Sequence, residues 1–551
     1  MSRPTIDHTA DRPEDWAAPG ARLVRSAATD VVPPLASLGK VHIMGIAGSG
    51  MSALARILLE RGIEVSGCEA RESLGVSGLR ALGADVQIGH SRTHVDACDT
   101  FVYTTAINPK HEEFAYARQL AEARSPETGQ GKTVLRRAAA LAAALEDRRT
   151  IAISGTHGKT TTTSLLTIAA QACGIDTSFA IGGNLYESGK NAHLGTGDLA
   201  IVEADESDGS FLLTQPIAAV ITNVEADHLE NHGDLEGIFR AFEQFVDRVG
   251  ERQHSVDRVG ERQQFVDRVG EQQHSVDRVG ERQHSVDRIE AGGLVLACID
   301  DPGARRIAQY ARTHGHRVLT YGESAQADVM VSDIVTLPTG VAFTAKGEAL
   351  GGRRVIVGSL IGRHMALNAT AALMMAVEVG LDLDTVLESF ANFGGVHRRM
   401  EYHGEGGEVR VFDDYAHHPT EVAAQLTAAK AVAAPGRLIA VFQPGTYSRT
   451  QTFAREFADA MQLADIAVVM DIFPAREEPI PGVTGATISD LIDLPPERVI
   501  YEASYNAVPE RVAAVARAGD LVLTMGIGNV YLLCDEIRAA CAAASTSRVG
   551  S

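Results

Sequence analysis

The stretch Ile151 to Thr163 reads IAISGTHGKTTTT. Ile151 to Ser154 has the apolar bias of the end of a buried strand. Gly155-Thr156-His157-Gly158-Lys159-Thr160 turns sharply, and TTTSLLTIAAQACG from Thr161 has the pattern of a helix that stops at Gly174. Strand, glycine turn, lysine, hydroxyl and helix together suit a triphosphate. The glycines admit backbone N–H groups to the phosphates, and the helix N-terminus adds partial positive charge. Lys159 can neutralise the outer phosphates and Thr160 can sit on Mg²⁺. The spacing differs from the general P-loop, because only Thr156 and His157 separate Gly155 from the Gly158-Lys159 pair. A plain helix-capping turn with a solvated lysine is the competing interpretation. The flanking strand and helix favour the nucleotide site.

Working outward, 551 residues are too many for one core, and two to four domains are expected. Hydrophobic content of 45% with 22% charged residues is that of a soluble globular chain. A net charge of −21 argues against a nucleic-acid or anionic-membrane surface, while leaving room for a local basic pocket. The six cysteines are scattered without a C-x-x-C pair, which fits a reducing cytoplasm and suggests neither a zinc module nor a disulfide framework. Residues 1–38 are polar, proline-bearing and free of an apolar core, so they read as a disordered extension rather than a signal peptide. No run is long enough to span a membrane.

A first βαβ unit opens at Lys40 to Met44, turns through Gly45-Ile46-Ala47-Gly48-Ser49-Gly50-Met51, enters a helix at Ser52, and reaches Glu69 after its second strand. Close helix–strand packing alone can explain such a glycine turn. Past the central turn, the strand from Asp198 ends in Glu203, and Ala218 to Asn223 leads to His228. Ligand groups of doubly wound sheets sit at such strand ends. An oxygen ligand such as Glu203 suits Mg²⁺, and His228 is a less usual one. Val246 to Ser285 is four decapeptides of the type VDRVGERQHS, and a truncated VDRI ends at Ile289. Ten residues fall about 80° short of helical register, so a solvated protrusion without one fixed apolar stripe is expected. A third alternating unit carries Asp414-Tyr415-Ala416-His417-His418 and later Arg449, which is either a surface charge or a carboxylate clamp.

The motifs GIAGSGMS, SGTHGKTTTT, EADESDGS, NVEADHL, GRHMALNA, HRRMEY, DDYAHHPTE and FQPGTYSRT occur in one order, and with them the chain resembles the Mur ligases of peptidoglycan synthesis from about Lys40 to Asp535, repeats excepted. The resemblance implies an α/β fold of three domains: a Rossmann-like UDP-binding domain at 39–147, a central P-loop ATPase domain with a mostly parallel sheet at 148–393, interrupted by the repeats at 246–289, and a Rossmann-like acceptor domain at 394–545. It implies an ATP-dependent amide ligase in the cytoplasm that joins L-alanine to UDP-N-acetylmuramate through an acyl phosphate, with Mg²⁺ as cofactor. By resemblance, Gly45, Gly48, Gly50, Met51 and Ser52 hold the UDP-sugar. Gly155, Thr156, His157, Gly158, Lys159, Thr160, Thr161, Asn368 and Arg399 hold ATP. Thr160, Glu203 and His228 surround the metal, and Lys159, His228, Arg399 and Asp414 serve the chemistry. Tyr415, His417 and Arg449 face the acceptor. Either His228 or His417 can take the amine proton. A murein tripeptide ligase or another Mur-type amide ligase, and a nucleotide-binding relative without catalysis, are the alternatives. One departure from the family pattern stands out: Gly445 follows Phe-Gln-Pro where the family usually has histidine, with milder variants at Met365 and Gly526-Ile527-Gly528-Asn529.

Overall fold

The computed structural model describes residues 31–104, 107, 108, 110–123, 131–250, 286, 289, 292–475 and 477–549. Short runs rich in valine, isoleucine and alanine form the strands of three sheets, and helices cover both faces. The first sheet has the order β3-β2-β1-β4-β5, all parallel, from β1 (Val41–Met44), β2 (Val65–Glu69), β3 (Asp85–Ile88), β4 (Thr100–Tyr103) and β5 (Thr133–Arg136).

The central sheet has ten strands: β6 (Arg149–Ser154), β7 (Ser178–Ala180), β8 (Ala192–His193), β9 (Leu199–Glu203), β10 (Ala218–Ile221), β11 (Leu294–Cys298), β12 (Arg317–Gly322), β13 (Val329–Leu337), β14 (Gly340–Lys346) and β15 (Arg353–Gly358). Their order is β15-β14-β13-β12-β11-β10-β6-β9-β7-β8, parallel from β13 to β7 and antiparallel at both edges. The third sheet runs β16-β17-β21-β18-β19-β20, where β16 (Glu401–Gly406) is antiparallel to β17 (Val409–Asp414) and β18 (Leu438–Phe442), β19 (Ile466–Met470), β20 (Val499–Glu502) and β21 (Leu521–Met525) complete a parallel set.

The two faces of the central sheet bury separate cores. Ala152, Ala219 and Val295 lie in one that continues into the first sheet's core, around Ile43, Leu54 and Ala140. Ile151, Val220 and Leu294 lie in the other, beneath the helices Lys159–Ala172 and Arg363–Glu378, which pack on each other.

Two expectations change. Residues 1–30 lie outside the described residues, but 31–38 are structured at their end: Leu35–Ser37 forms a 3-10 turn and Leu38 is buried. The repeat is not wholly solvated either. Val246 and Val249 of the first unit are buried on one face of the central sheet, and Val286 and Ile289 of the last unit on the other. The first copy continues the helix Leu235–Asp247, so its valines inherit that helix's apolar stripe. The intervening units lie outside the described residues. Gly250 and Gly293 meet across the gap, where a Cβ on Gly250 would stand 3.0 Å from Gly293 Cα.

Candidate active site

Parallel β6, β9 and β10 end at one edge, so the turn after Ser154, the Glu203 carboxylate and Thr222-Asn223 converge there. The turn is clamped from β10. Thr156 N donates to Asn223 O (3.1 Å), His157 N to Asn223 Oδ1 (2.8 Å), and Thr222 Oγ1 to His157 O (2.5 Å). Gly155 has φ +134°, and a Cβ there would lie 2.9 Å from Asn223 O. Gly158, at φ +86°, caps the helix, and a Cβ on it would lie 2.4 Å from Asn368 Oδ1. Asn368 therefore stands against the turn. Thr161, also expected at the nucleotide, is buried in the first helical turn.

Lys159 folds back into its own turn. Its Nζ donates to Gly155 O (2.5 Å), Thr156 O (3.2 Å) and Glu206 Oε2 (2.8 Å). Burial opposes its charge, but Glu206, Asp205 and Glu203 hold the ammonium above its usual range. Burial wins at Glu203 and Glu206, whose carboxyls sit above their ordinary values. Glu203 accepts from Gly182 N (2.7 Å), and Lys159, the Thr160 hydroxyl and Arg399 also favour its charged form. At Asp205 burial is outweighed by Lys159, Arg137 and His228, which hold the carboxyl down to about 2. His228 sits in the left-handed region (φ +52°), with Nε2 3.5 Å from Asp227 Oδ2.

The third sheet reaches into the same cleft. Asp414, at the end of β17, accepts from Met400 N (2.9 Å) and Ala416 N (2.8 Å). Burial pushes its carboxyl up to about 7, against Arg399. Arg399 lies over the Tyr415 ring at 5.7 Å, and its charge bears on Glu203, Asp414 and Glu421. His157 stands 3.2 Å from Glu421 Oε1, and Thr420 Oγ1 donates to Glu225 (2.7 Å). Burial disfavours the His157 charge, yet Glu421 and Glu225 raise its pKa to about 9. His417 differs: burial lowers it to about 4, and its Nδ1–H donates to Tyr415 O (2.9 Å). Arg449 Nη2 reaches both oxygens of Asp227 (2.9 and 3.2 Å), so its charge is paired inside the protein rather than left on the surface.

The first sheet supplies the remaining wall. Gly45 (φ +69°) opens its turn, and Gly48 N donates back to Gly45 O (3.1 Å). Ala47 N donates to Glu69 Oε2 (3.1 Å), and Met51 is buried. Ser52 Oγ and Ser49 O both accept from Asn191 Nδ2 of the central unit (3.1 and 2.7 Å). A Cβ on Gly50 would lie 2.7 Å from Arg137 Nη1, and Arg137 reaches Asp205 (3.6 Å). Gly50, Arg137, Asp205 and Lys159 thus link the two glycine turns. Sequence reasoning had not singled out Arg137, Asn191, Asp205, Glu206, Asp227 or Glu421. Asp205 and Glu206 stood in the quoted EADESDGS, where the acid density was the available signal. Two of the sequence departures are neighbours: a Cβ on Gly445 would meet Ile527 Cδ1 at 3.0 Å.

Family models match along the chain: "Mur ligase family, catalytic domain" over residues 40–123, "Mur ligase middle domain" over 153–293 and 282–376, and "Mur ligase, glutamate ligase domain" over 398–528. A protein of Saccharopolyspora erythraea named UDP-N-acetylmuramate–L-alanine ligase is 44% identical over 526 residues, which cover 95% of this chain and 96% of that one. The chain belongs to the Mur ligase family. A second relative of the same name, from Acidothermus cellulolyticus, is 45% identical over 90% of this chain and 93% of its own. Among solved Mur ligase structures, a UDP-N-acetylmuramate–alanine ligase of Thermotoga maritima superposes with a TM-score of 0.68 at 23% identity, covering 93% of this chain and all of that one. A murein peptide ligase of Psychrobacter arcticus gives 0.62 at 21%, covering 92% and 99%. These two likenesses establish the three-part α/β fold of the family. Among the described residues no helix is long and apolar enough to cross a membrane.

Proposed function

We propose that this Mur ligase joins L-alanine to the carboxylate of UDP-N-acetylmuramate, with ATP cleaved to ADP and phosphate, as a step of peptidoglycan precursor synthesis. The observation that carries the reading is the meeting of Lys159 on its glycine turn, Glu203 behind it, and Arg399 and Asp414 from the next sheet, in a chain 44% identical over 95% of its length to a ligase of that name.

An amine cannot expel oxide from a carboxylate, so the acid is first phosphorylated. Phosphoryl transfer depends mainly on positioning and on neutralising charge. Gly155 to Thr161 and Asn368 cradle ATP, and Lys159 exchanges its Glu206 contact for the outer phosphates. Arg399 faces the transferring group. Thr160 and Glu203 are oxygen ligands that suit Mg²⁺, and with His228 as the third group they would hold it; when bound it neutralises phosphate charge. The first glycine turn, Gly45, Gly48, Gly50, Met51 and Ser52, takes the UDP-sugar, and Tyr415, His417 and Arg449 face the amino acid. His417 is neutral at pH 7 with Nδ1–H spent on Tyr415 O, so its Nε2 presents an acceptor to the ammonium. A value of about 4 makes it a positioning group more than a strong base. Attack by the free amine gives a tetrahedral intermediate that expels phosphate. Asp414 orders the Met400 and Ala416 amides that carry Arg399 and Tyr415 into the cleft.

The deciding experiment follows phosphate release with ATP, Mg²⁺ and UDP-N-acetylmuramate, adding L-alanine, glycine, L-serine, D-glutamate or a murein tripeptide. Release that requires L-alanine is expected. Release with the tripeptide and UDP-free sugar would move the protein to peptide recycling, and ATP binding without any release would make it a non-catalytic relative.

A further inference from the structure

Away from the cleft, four chemically distinct side chains converge inside the first unit. His42 lies on β1, Cys68 on β2, His94 in the short helix Arg92–Asp96, and Glu113 at the start of the helix Glu112–Glu122. One ligand atom from each lies within 4.8 Å of all the others. Around Glu113 Oε1 the edges are shorter: His94 Nδ1 is 3.0 Å away, His42 Nε2 3.4 Å and Cys68 Sγ 3.6 Å. Tetrahedral bonds of about 2.0–2.3 Å to nitrogen, oxygen and sulfur require edges of roughly 3.3–3.8 Å.

Two further observations point to a cation. Glu113 is buried, and its ion-pair partners among the described residues are all histidines: His42, His90 and His94. A buried carboxylate needs a compensating charge. His42 is 1% exposed, and among the described residues its Nε2 has no hydrogen-bond partner, its nearest acceptor being Glu113 Oε1 at the longer ion-pair distance of 3.4 Å. The Ser66 hydroxyl lies 3.0 Å from His42 Nδ1 and 3.5 Å from Val41 O, so it can accept from Nδ1–H, and in that tautomer Nε2 turns its lone pair to the centre.

We propose that His42, Cys68, His94 and Glu113 form a site for a zinc-class divalent transition metal, which braces the glycine turn of the first unit. Sulfur and imidazole donors select zinc over magnesium. One thiolate and one carboxylate balance a dication, leaving the buried centre neutral. Binding breaks the Cys68 S–H bond and forms metal–sulfur. The proton leaves through His90, whose Nδ1 is 3.1 Å from Sγ and whose ring is 27% exposed. The brace is direct: the Cys68 carbonyl accepts from Gly45 N (2.9 Å) and Ile46 N (3.2 Å), and its neighbour Glu69 holds Ala47 N.

The test titrates the full-length chain with Co²⁺ after chelator treatment, following absorbance. The expected result is one equivalent with tetrahedral visible bands and a thiolate-to-cobalt charge-transfer band, all displaced by Zn²⁺. Cys68→Ser should remove the charge-transfer band and weaken Co²⁺ binding roughly tenfold or more. If that variant fails to fold, His94→Gln, at the site's more open edge, should shift the visible bands and weaken binding while circular dichroism stays unchanged. The other histidine–carboxylate group, His157, Glu225 and His418, holds no sulfur, so its loading would give no such band. Absence of the band in the parent chain, its survival in folded Cys68→Ser, or unchanged affinity and spectrum in folded His94→Gln would each overturn the proposal.

Discussion

Lys159 is half-buried near Glu203, Asp205 and Glu206, and all three favour its charge. Lys159→Ala leaves those acids facing one another and takes the cation from the phosphates. Phosphate release is expected to fall by about 10²–10³ or more in a chain whose circular dichroism is unchanged. Turnover retained in the folded variant would remove Lys159 from the phosphate site. Gly445 and Ile527 make a second residue-scale case. Adding a side chain at Gly445 alone collides with Ile527 and lies 3.1 Å from Phe473 O. Gly445→His is expected to cost about 1–3 kcal/mol, and Ile527→Ala in the same chain should recover part of it, as a double-mutant cycle by thermal melting would read. The sequence already marked Lys159, Glu203, His228, Arg399 and Asp414, because each follows a buried strand or a motif. It did not mark Glu206 or Glu421, since a carboxylate's role depends on the cation opposite it, and those cations lie far away along the chain.

The turn that carries Lys159 works through its glycines. Gly158→Ala forces a side chain into φ +86° beside Asn368, and should cost about 1–2 kcal/mol and weaken ATP binding, read by melting with and without nucleotide. Gly155→Ala meets the Asn223 backbone, which cannot swing away, so its melting temperature should fall further. The strands at β6, β10 and β11 were legible because both their faces are buried and the residues read as apolar runs. The antiparallel extension β13-β14-β15 was not read. Its flanking strands are partly open to water, with Asp333 and Val335 of β13 and Arg354 and Ile356 of β15 exposed, and polar residues such as Ser332, Asp333 and Arg354 break the apolar run. Excision of residues 256–285 keeps both buried ends of the repeat. The melting temperature should hold or rise slightly, since a shorter loop recovers on the order of 1 kcal/mol, and turnover should be unchanged. A fall of several degrees would give the middle units a structural part.

At the scale of the molecule, motif order pointed to the family and the three sheets, but not to the contacts that join them. The central turn grips the third sheet through His157 and Glu421, Thr420 and Glu225, and Arg449 and Asp227. The His157 pKa rises from the free value of 6.5 to about 9, so its proton stabilises this contact. The contribution is complete below about pH 6.5 and is lost as pH climbs through about 9. Hydrogen exchange at the start of the helix Pro419–Ala433, corrected for intrinsic rates, should therefore speed up between pH 7 and about 9.5, and His157→Ala should flatten that dependence. A dependence unchanged in the variant would assign the joint to other groups. The meeting of Gly250 and Gly293 has a consequence for heredity. A tandem repeat invites slippage when its gene is copied, and here every in-frame gain or loss of a whole unit starts from the same Val-Asp-Arg and returns to the same doorway. Lineages carrying different copy numbers should inherit proteins of different length and equal fitness, so the tract records ancestry while selection acts elsewhere in the gene.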